Sequence, residues 1–313
     1  MRRYLTLDGG TTNTRIRLVE DGVIVDSVKI PKGARANMEE AGSLAAAVRE
    51  AIDGLLSKNG LFPEDVYRIL ASGMVTSEFG LCALPHTVAP AGIRELHDTM
   101  HETVLSEIST IPFVFIRGVR LSGECLECAD MMRGEETELV GIADGVANTL
   151  YVLPGSHSKL VLTDAEGRIS DFSTMLTGEM IYALASSTIL HDAVDLSLSE
   201  LDEERLAEGC TYARSRGINE ALFKVRILKN LFGASAVECY SFFLGVVLAD
   251  EIGAIMKSDA ARVVIGGREQ IKRATNALLC RLGCDKEILL LDEETVERST
   301  SLGMIRIFEY CEN

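Results

Sequence analysis

Tyr4-Leu5-Thr6-Leu7-Asp8-Gly9-Gly10-Thr11-Thr12-Asn13-Thr14-Arg15 decides how this chain is read. A short apolar run ends in an acid, two glycines and a row of hydroxyls. A second strand pattern follows at once over 15–20, then Asp21-Gly22, then a third over 23–30. The pattern predicts a hairpin meander whose first turn is shaped for phosphate. Glycines let a backbone approach a phosphate closely. Gly9, Gly10, Thr11, Thr12 and Asn13 supply backbone and side-chain donors, and such turns form anion-binding nests. Asp8 at the strand end suits a magnesium ion held through water, since hard cations take oxygen ligands. No Gly-Lys-Ser/Thr follows, so this is not a Walker loop. The glycines lead into a strand rather than a helix, so it is not a dinucleotide fingerprint either. Taken alone, the stretch also fits an ordinary Gly/Thr-rich hairpin turn.

At 313 residues the chain suits two domains, each with its own core. A hydrophobic content of 47% with 25% charged residues is that of a soluble globular protein. The net charge of −16, with no basic stripe, argues against a nucleic-acid partner. No signal peptide is visible, because Asp8 interrupts the strand behind Met1-Arg2-Arg3. No apolar run reaches the roughly 18 residues of a membrane span; the longest, 240–248, reads as a buried helix. A cytoplasmic protein with no membrane partner is expected, its oligomeric state open. The eight cysteines lack a disulfide-framework spacing. Cys125/Cys128 and Cys280/Cys284 do not form paired zinc knuckles, and no thioredoxin-like pattern surrounds the first pair. Buried or incidental thiols are the expectation.

Helical periodicity over 38–59 ends at Asn59-Gly60, a C-cap signal. A strand over 67–70 leads into Ala71-Ser72-Gly73-Met74-Val75-Thr76-Ser77. A poorly patterned stretch precedes a strand at 112–117, and 135–147 reads as a helix. The second half then opens as the first did. A strand at 149–153, the turn Pro154-Gly155-Ser156-His157-Ser158, a strand at 159–163, a turn at Gly167 and a strand at 168–175 repeat the meander about 145 residues on, without matching residues. Helices are predicted over 177–190, 198–216, 218–231 and 237–256. A strand at 261–265, a helix at 268–282, a strand at 287–291 and a helix at 293–310 complete the pattern. The expected boundary divides 1–147 from 148–313.

Two further motifs carry chemistry. Gly155, Ser156 and His157 lie in a turn fit for a second phosphate site, where His157 also reads as a turn histidine bonded to its neighbours. Val263-Val264-Ile265-Gly266-Gly267-Arg268 is a buried strand ending in a diglycine that opens a helix. Small residues there leave room for a flat base, and the helix start adds positive dipole. In their order these segments resemble the first phosphate, second phosphate and adenosine motifs of the actin, Hsp70 and sugar-kinase superfamily. That resemblance implies an α/β fold of two ribonuclease H-like (actin-like ATPase) domains with an interdomain nucleotide cleft, binding ATP and Mg2+.

Met132-Arg133-Gly134-Glu135-Glu136-Thr137 at a helix start is the most specific element. Paired acids there complement the helix dipole. Arg133 fits that role poorly and suggests a bound anion. With 154–159, with Ala71-Ser72-Gly73-Met74-Val75-Thr76-Ser77 and with Met175-Leu176-Thr177-Gly178-Glu179, the run resembles the 2-dehydro-3-deoxygalactonokinase family. Some members carry tryptophan at the place of Gly9 and cysteine at that of Ser158. The resemblance implies transfer of the γ-phosphate of ATP to the 6-hydroxyl of 2-dehydro-3-deoxy-D-galactonate in galactonate catabolism. Glu135, or failing it Glu136, then takes the hydroxyl proton, and Arg133 meets the acceptor carboxylate or the phosphoryl group. Asp8 holds magnesium. Ser72, Gly73, Thr177, Gly178 and Glu179 line the sugar site. The rivals are a kinase for another sugar or sugar acid on this fold, a non-catalytic nucleotide switch, and a phosphatase of the exopolyphosphatase type.

Overall fold

A computed structural model describes residues 2–312. The chain forms two compact units. One holds the residues up to Ala147, Thr163–Asp171 and those from Glu294 on; the other holds Asn148–Leu162 and Phe172–Glu293.

The first unit opens with strands β1 (Arg3–Gly9), β2 (Thr14–Glu20) and β3 (Val23–Ile30). Helices α1 (Ala34–Glu39) and α2 (Ser43–Lys58) replace the single helix expected over 38–59. The break falls at Gly42, whose φ of 81° only glycine adopts without strain. Strand β4 (Arg68–Gly73) runs three residues further than its apolar pattern, because it pairs in parallel with β1 as far as Gly9↔Gly73. The poorly patterned stretch contains β5 (Thr87–Val88), α3 (Ile93–Asp98) and β6 (His101–Thr103). After β7 (Phe113–Phe115), β8 (Val119–Arg120) and β9 (Met131–Met132) comes α4 (Glu135–Ile142), shorter than expected. Ala143 turns extended and Gly145 takes a φ of 79°, which ends it.

The main sheet has the order β3-β2-β1-β4-β7-β6, and β5-β8-β9 form a small second sheet. Alternation in the strands settles which face is which. Leu5, Leu7, Ile16 and Leu18 are buried on one face in a single core with Leu44, Val48, Ile52, Leu55 and Leu56 of α2. Burying each such side chain stabilises by about 1.5–3 kcal/mol. The alternate residues Thr6, Asp8, Arg15 and Arg17 share the other, polar face, where Asp8 pairs with Arg15 in the β1–β2 register.

Strands β10 (Thr149–Leu153), β11 (Ser158–Thr163) and β12 (Ile169–Met175) repeat the meander in the second unit, except that Thr163–Asp171 at the turn between the last two falls with the first. Helices α5 (Thr177–Ser187), α6 (Glu203–Arg216), α7 (Ile218–Phe232) and α8 (Ala236–Lys257) follow, then β13 (Arg262–Ile265), α9 (Glu269–Arg281) and β14 (Glu287–Leu290). The sheet order is β12-β11-β10-β13-β14, the same meander-then-parallel plan as the first sheet. Helix α8 is long and apolar enough by composition to cross a membrane, yet 78% of that window is buried in the protein. It is the central core helix of this unit, packed with Leu150, Val152, Val263 and Ile265.

The last helix, α10 (Glu293–Phe308), was expected with the second half and instead belongs to the first unit. Its small residues explain why. A Cβ on Gly303 would lie 1.8 Å from the Thr137 carbonyl oxygen, and one on Gly141 of α4 would lie 1.8 Å from that of Ser299. The two helices approach at backbone distance, which no larger side chain permits. Ser301 also meets Thr6 at 2.7 Å on the polar face of the sheet.

Candidate functional site

In the first unit three glycines bring three segments together. A Cβ on Gly9 would strike Val75 at 2.3 Å, one on Gly73 would lie 2.4 Å from the Gly9 carbonyl, and one on Gly134 would lie 3.4 Å from the Gly73 Cα. Gly73 and Gly134 take φ of 84° and 107°. The Gly9–Gly10 turn, the end of β4 and the start of α4 therefore approach one another closely at these glycines.

The loop itself is braced from behind. The Gly10 N–H closes the turn on the Asn13 carbonyl at 2.8 Å, so it is spent inside the turn. The Gly10 and Thr11 carbonyls accept from Ala34 and Arg35 at 3.1 and 3.0 Å, and Gly33 leaves them room. Thr11, Thr12 and Asn13 are exposed. Their side chains and the remaining N–H groups are what the turn presents to an anion.

Asp8 lies beside this loop on the polar face of the sheet. Burial pushes its carboxyl up, opposed by the charges of Arg17 and Arg15, and the Glu135 charge pushes it up further. Arg17 is held in place by the Glu297 carbonyl at 2.9 Å. Glu138 joins the same group: burial, then Glu135, then Asp8, raise its carboxyl to about 8. Asp8 and Glu138 keep part of their surface in water while sitting deep enough to feel burial. The Glu135 charge thus raises the proton affinity of both Asp8 and Glu138, and a cation beside them would oppose that effect. Glu138 escaped the sequence reading. Its signal was the spacing, since residues three apart share a helix face and Glu135 is the partner.

Glu135 is half-buried, and its Oε2 accepts from the Arg133 N–H at 3.1 Å. Glu136 points the other way. It is fully buried, and both its oxygens accept from the Gly134 N–H, at 2.8 and 3.0 Å. Burial and the Glu135 charge raise its carboxyl to about 8. Successive helix residues point about 100° apart, so one acid faces outward and the other closes the helix start. In this arrangement Glu136 does not reach a soluble acceptor, contrary to its expected place among the catalytic groups.

Arg133 also departs from expectation. Its Nη1 donates to the Thr76 carbonyl and hydroxyl at 3.0 and 2.7 Å, and its Nη2 donates to the Leu84 carbonyl at 3.1 Å. The guanidinium ties the 76–84 loop to the start of α4, with both terminal nitrogens bonded within the protein. Backbone carbonyls shielded from water need donors, and a forked cation supplies several at once. Ser72 is corrected as well. It is fully buried with its hydroxyl 3.1 Å from that of Thr137, and so joins β4 to α4 rather than lining an open pocket. Gly73 is buried and serves the close backbone approach.

The second unit gathers its own cluster. A Cβ on Gly178 would lie 2.2 Å from the Gly155 carbonyl, and one on Gly267 would lie 2.5 Å from that of Pro154. The Gly266 N–H donates to Val152 at 2.9 Å, so the diglycine follows directly on the β10–β13 pairing. Gly267 has a φ of 74°. The second phosphate turn, the diglycine and the start of α5 are thus joined. Ser156 is exposed, and its carbonyl accepts from the Glu179 N–H at 3.1 Å. His157 Nε2 lies 3.1 Å from Glu179 Oε1. Thr177 is buried and donates to Glu251 Oε2 at 2.7 Å. Thr177, Gly178 and Glu179, expected at the sugar site, here pack on the 155–157 turn and Glu251.

Of the cysteines, Cys125 and Cys128 are exposed rather than buried, with their sulfurs 2.6 Å apart. No cluster of three or more His, Cys, Asp or Glu able to hold a metal ion exists among the described residues.

A family model described as 2-keto-3-deoxy-galactonokinase matches residues 8–303. The chain is 27% identical over 295 residues to the 2-dehydro-3-deoxygalactonokinase of Escherichia coli strain K12, covering 90% of this chain and 91% of that one. The solved structure of a candidate 2-dehydro-3-deoxygalactonokinase from Sinorhizobium meliloti superposes with a TM-score of 0.81 at 21% identity, over 98% of this chain and 99% of the other. The activator of 2-hydroxyisocaproyl-CoA dehydratase from Clostridium difficile, solved with bound ADPNP, superposes at 0.52 with 14% identity, over 99% and 96% of the two chains. These likenesses show the actin-like ATPase fold.

Proposed function

Since the chain belongs to the 2-keto-3-deoxy-galactonokinase family, we propose that it transfers the γ-phosphate of ATP to the 6-hydroxyl of 2-dehydro-3-deoxy-D-galactonate, in the cytoplasm and with magnesium. The observation that carries the reading is Glu135 at a helix start set against the first phosphate loop, in one group with Asp8 and Glu138. A proton acceptor, a metal holder and a phosphate cradle then lie on one unit.

Phosphoryl transfer asks a protein mainly to position groups and stabilise charge. Gly9, Thr11, Thr12 and Asn13 grip phosphate oxygens from the first unit. On the second unit, Gly155, Ser156 and His157 suit phosphate, with Gly266 and Gly267 suited to adenosine. Asp8 holds magnesium through water, and the ion, when bound, neutralises phosphate charge. Glu135 takes the proton of the acceptor hydroxyl. Glu136 fixes the helix start from which Glu135 projects, and Arg133 fixes the loop in front of it.

The test is ATP turnover against a panel of 2-keto-3-deoxy sugar acids, with wild type and Glu135→Gln. Selective phosphorylation of the galactonate derivative at O6, lost by about 10²–10⁴ in the variant with ATP affinity retained, supports the reading. Preference for a different acceptor replaces the substrate and keeps the chemistry. Normal turnover by Glu135→Gln removes the base.

A further inference from the structure

The second unit buries one acid that the phosphoryl transfer described above does not use. Glu251 is buried on α8, the central core helix. Its helix neighbours Leu248, Ile252 and Ile255 belong to the apolar core. A carboxyl in such surroundings is unfavourable unless hydrogen bonds replace the lost water. Burial pushes it up, and the hydroxyls of Thr177 and Ser158 oppose that shift. Thr177 Oγ1 donates to Oε2 at 2.7 Å. Oε1 and the buried Ser158 Oγ have no hydrogen-bond partner among the described residues.

Both hydroxyls belong to the surroundings of the second phosphate turn. Ser158 opens β11 directly after Gly155-Ser156-His157. Thr177 opens α5, and the two residues after it meet the turn. A Cβ on Gly178 would lie 2.2 Å from the Gly155 carbonyl, so helix start and turn pack at backbone distance. The Glu179 N–H donates to the Ser156 carbonyl at 3.1 Å, and Glu179 Oε1 lies 3.1 Å from His157 Nε2. A shift of the helix start is therefore a shift of the turn. No side-chain cap fixes that start, because its N-cap residue is Leu176. The tie from Thr177 to Glu251 fastens it to the core helix instead.

We propose that Glu251 is a positioning residue for the nucleotide phosphates: through Thr177 it anchors the start of α5, and α5 fixes the 155–157 turn. The inference rests on the reading of that turn as a phosphate site and assigns the source of its rigidity. Burial excludes the water that would compete for the Thr177 hydroxyl, which strengthens this single bond. A turn already held in place has less freedom to lose when a ligand binds, and its affinity gains by that difference. Glu251 acts only through its partner and does not touch the nucleotide.

The test measures binding of magnesium ATP by calorimetry without acceptor, alongside the KM for 2-dehydro-3-deoxy-D-galactonate. Thr177→Val keeps the branched shape and removes the hydroxyl. It and Glu251→Met should each weaken ATP by about 10-fold, the usual loss for one buried hydrogen bond, and leave the acceptor KM unchanged. Thr177→Ser and Glu251→Gln keep a donor and an acceptor at the bond and should recover most of that loss. The double variant Thr177→Val/Glu251→Met should bind no worse than the weaker single, because both break one bond. Additive losses overturn the anchor. So does a folded Thr177→Val that binds ATP normally, and so does a raised acceptor KM with unchanged ATP affinity, which returns Thr177 to the sugar site. If Glu251→Met does not fold, Thr177→Val against Thr177→Ser decides the same point. If wild type binds no ATP, the phosphate reading falls and the anchor with it. If ATP binds as expected across the variants but no sugar acid is phosphorylated, the anchor stands and the acceptor reading falls.

Discussion

Replacing Glu136 by glutamine should stabilise the protein at alkaline pH. The side chain is fully buried, and its carboxyl is raised from 4.5 to about 8 by burial and by the Glu135 charge. The folded protein therefore holds a proton that the unfolded chain gives up. Stability is full below about pH 4.5, falls as pH rises toward 8, and stays at the lower level beyond. At 1.36 kcal/mol per tenfold change in proton affinity, the loss is at most about 5 kcal/mol, and relaxation around the helix start brings it to about 2–4. Glutamine resembles the protonated acid in shape. Its carbonyl accepts from the Gly134 N–H as the carboxyl oxygens do, and it never ionises. The assay is denaturant unfolding of metal-free wild type and Glu136→Gln from pH 4.5 to 9. The curves should coincide at the acid end and separate in favour of the variant above about pH 7. A variant less stable than wild type at pH 9, or a difference that does not vary with pH, would refute the buried neutral carboxyl.

Asp8→Asn should cut magnesium-dependent turnover by about 10² or more without lowering the melting temperature of the metal-free protein, because it removes a charge that burial disfavours; near-normal turnover at saturating magnesium would end the assignment. Gly267→Ala should weaken ATP affinity along with stability, since a Cβ there would press on Pro154 of the phosphate turn and the φ of 74° strains any other residue; a variant that is merely less stable, with unchanged ATP affinity, makes the diglycine a packing feature. His86 is held at about 4, below its usual 6.5, so its contribution is present above pH 6.5 and is lost as pH falls toward 4. It should amount to about 1–2 kcal/mol once discounted for the ring's contact with water, and unfolding curves of His86→Asn should be flatter across that window.

The parts legible in the sequence are those with a local cause. Both meanders follow from alternating apolar residues and Asp-Gly or Gly turns, and both phosphate turns from glycines next to hydroxyls at strand ends. Glu135 and Glu136 were visible as a pair at a helix start. Which of them faces outward depended on the Gly134 N–H capturing Glu136, a detail of the folded turn. The capture of Arg133 by Thr76 and Leu84 joins residues about 50 apart, with no sequence period to announce it. The return of α10 to the first unit was hidden for the same reason: its cause is a pair of glycines meeting backbone on another helix. Glu138 alone could have been found locally, from its helical spacing to Glu135.

The contact of Gly9, Gly73 and Gly134 has a consequence for how such a protein can change. Close backbone packing leaves little to adjust there: a side chain on Gly9 or Gly73 would strike Val75 or the Gly9 carbonyl, and one on Gly134 would strain its φ of 107°. Novelty in what the protein accepts must then be written in side chains elsewhere in the chain. The molecule thus separates an inherited reaction from a negotiable clientele. Libraries aimed at new acceptors should leave the three glycines alone.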